Sequence, residues 1–242
     1  VDMNLNMKNF KKNILLGLLL VVPPIIYSYV TEGHNNFLKL DVVGEKQPNG
    51  DDHKISEFSL INQDNEIINN DTMLGYIYIA DFFFTTCPTI CPVMTKNMAY
   101  VQAKLSMYPN IRFLSYTVNP ETDTPERFRE YIKDMREKES INIDLSNWDF
   151  LTGKKEEIYE VARSYFVSAL DEDPLDQHGG GFLHSNLFIL IDKEGRVRSG
   201  LDKDGNPRGA YEGTKAAQMK DLIKDVGVLM ADYQSSKKIK KK

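Results

Sequence analysis

The chain has 242 residues, with 30 Lys+Arg against 35 Asp+Glu, 41% hydrophobic residues and two cysteines. That balance is ordinary for a globular protein with a real core, and it excludes a disordered chain, a collagen-like repeat and a disulfide-dense scaffold. The net charge of −5 is unevenly spread: residues 1–30 hold three lysines and one acid, the last six residues hold five lysines, and 22 basic residues face 34 acidic ones in between. Such an acidic body repels nucleic-acid phosphates and suits a cation or a basic partner.

Lys8, Lys11 and Lys12 precede an uncharged run, Ile14–Val30 (ILLGLLLVVPPIIYSYV). A basic flank before an apolar segment marks a secretory signal or a membrane anchor whose start stays in the cytoplasm. The bulky Tyr27, Tyr29 and Val30 stand where a cleavage site needs small residues, so 1–30 is expected to be a cytoplasmic start and an uncleaved single-pass anchor rather than a cleaved signal. Its 17 apolar residues sit at the short end of the range for crossing a bilayer, and Pro23-Pro24 would kink it. No cysteine lies near for lipid attachment, and Met7 offers one translation start. Residues 31–52, with scattered Gly, Asn and Pro, read as a tether, and the rest of the chain is expected on the extracytoplasmic (periplasmic) side of the cytoplasmic membrane.

One domain is expected over 53–234. Phe58–Ile61 and Glu66–Ile68, joined by a polar turn, read as a hairpin. Gly75–Phe84 (GYIYIADFFF) reads as a central strand buried on both faces. It runs into Thr85-Thr86-Cys87-Pro88-Thr89-Ile90-Cys91-Pro92, and a helix to Leu105 follows, with Met94, Met98, Val101 and Leu105 at helical spacing. Ile111–Val118 is the next strand. Thr124-Pro125 opens a helix carrying Phe128, Ile132 and Met135, as a hydroxyl cap followed by a first-turn proline. Thr152 is expected to open a third helix with Ile158, Ala162 and Tyr165 inward. His184–Ile191 reads as a strand turned at Asp192–Gly195 into a partner, and Thr214 as the cap of a last helix with Met219, Leu222, Ile223 and Val226. Residues 235–242 form a solvated lysine tail. The order predicts an α/β fold, a mixed thioredoxin-like sheet flanked by helices and preceded by the N-terminal spanning helix.

Cys87 falls where a strand ends and Cys91 one helical turn later, so both thiols can face one side. Unpaired N–H groups and the helix dipole favour a thiolate at such a start. The pair fits a redox-active dithiol, two thiolates presented to a metal, or a structural bridge. Of the four histidines, His34 and His53 lie in or beside the tether, His178 reads as a loop residue, and His184 opens the late strand expected beside the cysteines. Two thiolates and one imidazole suit Cu(I) and can also hold Cu(II), whereas zinc normally takes a fourth ligand.

Four blocks resemble the Sco/SenC family: Asp81–Pro92, Thr117–Pro125, Trp148–Gly153 and His184–Asp192, in the family's order across about 75–215. The resemblance implies a membrane-tethered, thioredoxin-like copper protein that helps assemble the copper centre of cytochrome c oxidase. It maps the copper ligands onto Cys87, Cys91 and His184. It also implies partners: the oxidase's copper-bearing subunit, and a copper donor or thiol reductant. The expected role is a metallochaperone rather than an enzyme, by ligand exchange or by reducing the recipient's cysteines. Two departures stand out. The family's Asp-Pro is Asn119-Pro120 here, and 199–209 (SGLDKDGNPRG) reads as an insertion in the last hairpin.

The main competitor is an extracytoplasmic thiol–disulfide oxidoreductase, with Cys87 attacking and Cys91 resolving. Against it, the spacing is CxxxC rather than CxxC, and no proline falls between Pro174 and Pro207, before the His184 strand. A peroxidase reading lacks an evident arginine beside the cysteines. Asp202-x-Asp204-x-Asn206 has Pro207 where a calcium loop needs glycine, so a plain turn is expected. Met94 and Met98 read first as core, and Asp81 as either a ligand-orienting carboxylate or a satisfied buried polar group.

Overall fold

The structure, a computed structural model, describes residues 12–14, 16–26, 39–166, 186–202 and 204–239. The chain divides into two compact units, residues 1–39 and 40–242. In the first, helix α1 is formed by residues 12–14 and 16–26. Among the described residues, no helix is long and apolar enough to cross a membrane, so the spanning helix expected over Ile14–Val30 is not supported.

The second unit is built on one large sheet. Its strands are β1 (Asp41–Val42), β4 (Ile77–Phe83), β5 (Ile111–Thr117), β6 (Trp148–Leu151), β7 (Leu187–Ile191), β8 (Val197–Ser199) and β9 (Tyr211–Glu212). Their order is β1-β8-β7-β4-β5-β6, with β9 also paired to β7. β4 pairs in parallel with β5, and β5 with β6, whereas β4–β7 and β7–β8 are antiparallel. A separate antiparallel hairpin joins β2 (Ser59–Ile61) to β3 (Ile67–Asn69). Its turn places Asn65 at φ 62, a left-handed conformation that Asn tolerates better than most residues.

Every residue of β4 is buried, as a strand without polar alternation and covered on both faces should be. Alternation divides its side chains. Ile77, Ile79 and Phe83 pack beneath α3 (Ile90–Leu105), α4 (Pro125–Glu137) and α6 (Ala216–Ile239), through Met94, Met98, Phe128, Ile132 and Leu222. Tyr78, Ala80 and Phe82 face the opposite core, with Leu60 of the hairpin and Ile158, Val161, Ala162 and Tyr165 on or beside α5 (Lys155–Ser164). A short helix, α2 (Asn70–Met73), follows the hairpin, closed by a reciprocal Asn69–Thr72 capping box.

Several expected elements form as read. Thr124 accepts the Arg127 N–H and Pro125 fills the first turn of α4. Asp192 Oδ1 accepts the N–H groups of Glu194 and Arg196 and turns β7 into β8. Others differ. Thr152 does not cap a helix: its N–H and C=O bond Ile61 at 2.9 Å, tying the hairpin to the end of β6, and α5 starts at Lys155. Trp148–Leu151 is a strand, the third parallel member of the sheet. The segment read as a tether supplies β1, paired with β8, and buries Leu40. Helix α6 continues to Ile239, into the segment read as a lysine tail.

Candidate metal and dithiol site

The end of β4 and the start of α3 hold Cys87 and Cys91, as their spacing predicts. Between them, the Cys87 N–H donates to the Phe84 carbonyl at 3.2 Å, turning the chain out of the sheet. Helix α3 begins at Ile90, so Cys91 and Pro92 occupy its first turn, where Pro92 removes an N–H that would have no helical acceptor. The Cys91 N–H donates to Cys87 Sγ at 3.5 Å. Both cysteines are free, and both are buried, Cys87 at 7% exposure and Cys91 at 2%.

Their environments set the two thiols apart. Burial pushes Cys87 up, but the N–H groups of Thr89, Cys91 and Ile90 and the Cys91 side chain outweigh it and hold the thiol below its ordinary value. Burial pushes Cys91 well up. A bond from the Phe84 backbone opposes this, while Cys87 and Asp81 raise it further. The pair is therefore polarised, with the proton held less tightly on Cys87 than on Cys91.

Asp81 sits in the middle of β4, directly opposite Ser115 of β5, whose hydroxyl donates to Asp81 Oδ1 at 2.5 Å. The Trp148 indole N–H completes the relay by donating to Ser115 Oγ at 2.9 Å. Burial pushes Asp81 up to about 7, and the Ser115 hydrogen bond works in the opposite direction. Tyr131, whose hydroxyl lies 2.7 Å from Thr95 Oγ1, is also pushed up, first by burial and then by Cys91, Asp81 and Cys87.

A second carboxylate, which the sequence reading passed over, lies against the cysteine-bearing turn. Asp123 is fully buried between β5 and α4. It accepts the Thr85 N–H at 3.1 Å, the Thr85 hydroxyl at 2.5 Å and the Thr117 hydroxyl at 2.5 Å. Arg127 Nε donates to Thr85 Oγ1 at 3.2 Å, so an arginine does stand beside the loop, contrary to the sequence expectation. Asn119, in the family's aspartate position, bonds locally: its N–H donates to Thr117 Oγ1 and its side-chain amide to Thr122 Oγ1. The only sequence signal for Asp123 was its place immediately before the Thr124-Pro125 helix start.

The other expected residues fall elsewhere. His184, His178 and His34 lie outside the described residues. His53 Nε2 donates to the Ser164 carbonyl at 2.8 Å, and its ring packs on Phe166. Met94 and Met98 are core residues with no exposure. In the 199–209 segment, Asp202 Oδ1 accepts the N–H groups of Asp204 and Asn206 in a turn closed by a Leu201–Pro207 bridge. Among the described residues, no group of three or more His, Cys, Asp or Glu could hold a metal ion. The two sulfurs are soft donors one helical turn apart, a set that fits copper once a further ligand joins them.

A family model described as SCO1/SenC matches residues 46–218. A curated relative, the SCO1 protein homolog of Bacillus subtilis (strain 168), is 30% identical over 176 residues, covering 72% of this chain and 81% of the relative. The solved structure of BsSco, described as having a disulfide switch and as a member of the Sco family of cytochrome c oxidase assembly proteins, superposes with a TM-score of 0.57 at 30% identity. That match covers 76% of this chain and 95% of BsSco. The copper-bound structure of ScoI from Arabidopsis thaliana superposes with a TM-score of 0.51 at 25% identity, covering 71% of this chain and 97% of that one.

Proposed function

The chain belongs to the SCO1/SenC family, and on that premise we propose that it binds copper through Cys87, Cys91 and His184 and passes it on during assembly of the cytochrome c oxidase copper centre. The observation that carries this reading is the pair of adjacent sulfurs at the β4–α3 junction, joined by the Cys91 N–H to Cys87 Sγ bond. Copper is the cargo. Cys87 gives up its proton more readily than Cys91, and Cys91 gives up its own as the metal arrives. A recipient with its own soft ligands then takes the ion by stepwise replacement. The acidic body suits a cation, and the basic start before Ile14–Val30 suits attachment at the membrane with the domain outside the cytoplasm.

A second reading draws on the polarisation of the two thiols, which is the order a reductase needs. Cys87 thiolate attacks one sulfur of a partner's disulfide, and the partner's other sulfur leaves as a thiolate. Cys91 then loses its proton and attacks Cys87 Sγ, so the partner ends as a dithiol and the Cys87–Cys91 disulfide forms.

Copper stoichiometry and visible absorption of wild type and His184→Ala, with dithiol reductase turnover measured in parallel, separate the two. One copper per chain, lost in the variant, supports delivery. Weak copper binding unchanged by the variant, alongside rapid His184-independent turnover, overturns it in favour of the reductase.

A further inference from the structure

Asp123 lies 36 residues beyond Cys87 in sequence, yet its carboxylate is wired to the turn that carries that cysteine. The hydrogen-bond directions leave little freedom. Asn119 N–H donates to Thr117 Oγ1, and Arg127 Nε–H donates to Thr85 Oγ1, so each hydroxyl is left with its own proton to give. Both protons go to Asp123, together with the Thr85 N–H. Asp123 is in turn held from behind, its own N–H on the Asn119 carbonyl at 2.9 Å. One buried carboxylate thus joins three segments: the end of β5, the start of α4, and the turn two residues before Cys87. A buried acceptor with three directed donors has one orientation, and removing it strands all three.

We propose that Asp123 is a positioning residue for the Cys87–Cys91 pair, fixing the β4–α3 turn so that the two sulfurs converge. The proposal rests on the copper and dithiol reading of that pair. Asp123 touches no sulfur; it acts through Thr85. An asparagine in its place offers one acceptor oxygen where the carboxylate offers two, so donors now shared between two oxygens must crowd onto one or, for a hydroxyl, turn round to accept from the N–H₂ group. The turn then loosens, and the two sulfurs spend less time at bonding distance.

The test compares the full-length wild type, Asp123→Asn, Thr117→Val and, as a control, Asp149→Asn. Asp149 is another buried carboxylate, accepting from Asn62 and Arg112 away from the cysteines. Two quantities are read: Cu(I) affinity by competition with a chromophoric chelator, and the dithiol–disulfide equilibrium of the metal-free chain in glutathione buffers. For Asp123→Asn, copper affinity is expected to fall about 10–100-fold. Disulfide formation is expected to fall about tenfold, because the thiols' effective concentration drops. Thr117→Val, which removes one donor and keeps the shape, moves both in the same direction by less, and it carries the test if Asp123→Asn does not fold. Asp149→Asn leaves both at wild-type values while lowering unfolding stability. Wild-type behaviour of the Asp123 and Thr117 variants, or an equal shift in the Asp149 control, would overturn the positioning role. A wild-type chain that takes no copper would overturn the proposed function instead, and the disulfide equilibrium would still decide Asp123.

Discussion

The backbone N–H of Cys91 donates to Sγ of Cys87 across 3.5 Å at the first turn of α3. This contact makes the two cysteines unequal: it stabilises negative charge on Cys87 while Cys91 is sealed in the core. Iodoacetamide at neutral pH should therefore modify Cys87 at least about tenfold faster than Cys91. Mass spectrometry of timed samples checks this, and equal rates, or Cys91 reacting first, would contradict the assignment of roles.

Asp81 gives a pH signature to folding stability. Its carboxyl, facing Ser115 from β5 and coupled to Cys91 and Tyr131 on the helices above, is held at about 7 against an unfolded value of about 3.9. Below pH 4 both states carry the proton. From pH 4 to 7 the unfolded chain releases it first, so stability falls as pH rises, by roughly 4 kcal/mol in all, and levels off above 7. Asp81→Asn removes that component. Urea unfolding of both proteins at pH 5 and 8 should show the wild type losing stability relative to the variant by a few kcal/mol; a constant difference would refute the buried, protonated carboxyl.

Met94 and Met98 lie on α3 within two turns of Cys91, and both are fully enclosed by the core beneath it. Met98→Ala should cost about 2–5 kcal/mol of unfolding free energy, as for other large-to-small core changes, and leave the copper stoichiometry unchanged. A variant of normal stability that loses copper would make the sulfur a ligand instead.

Much of this fold was legible in the chain. The run Ile77–Phe83 has no polar alternation and is buried throughout; the Thr124-Pro125 start and the Asp192 turn use side chains that act within a few residues. What escaped was set by distant partners. Trp148–Leu151 is four residues long and contains Asp149, whose carboxylate is met by Arg112 of the neighbouring strand and by Asn62, 87 residues earlier. β1 and β9 are two residues each, too short for any periodicity. Thr152 resembles a helix cap in sequence, but its backbone is used by Ile61, 91 residues earlier. Of the site, the Cys87–Cys91 spacing announced itself, whereas Asp123 matters only because Thr85 and Thr117 fold onto it.

The claim that Cys87 and Cys91 together hold copper is tested most directly by Cu(I) competition titrations of the full-length wild type and the Cys87→Ser/Cys91→Ser double variant at pH 6, 7 and 8. The wild type should bind one copper per chain, with affinity rising at least about tenfold per pH unit as thiol protons are displaced, and the double variant should bind none with comparable strength. Copper held equally well without either sulfur, or an affinity indifferent to pH, would contradict the account.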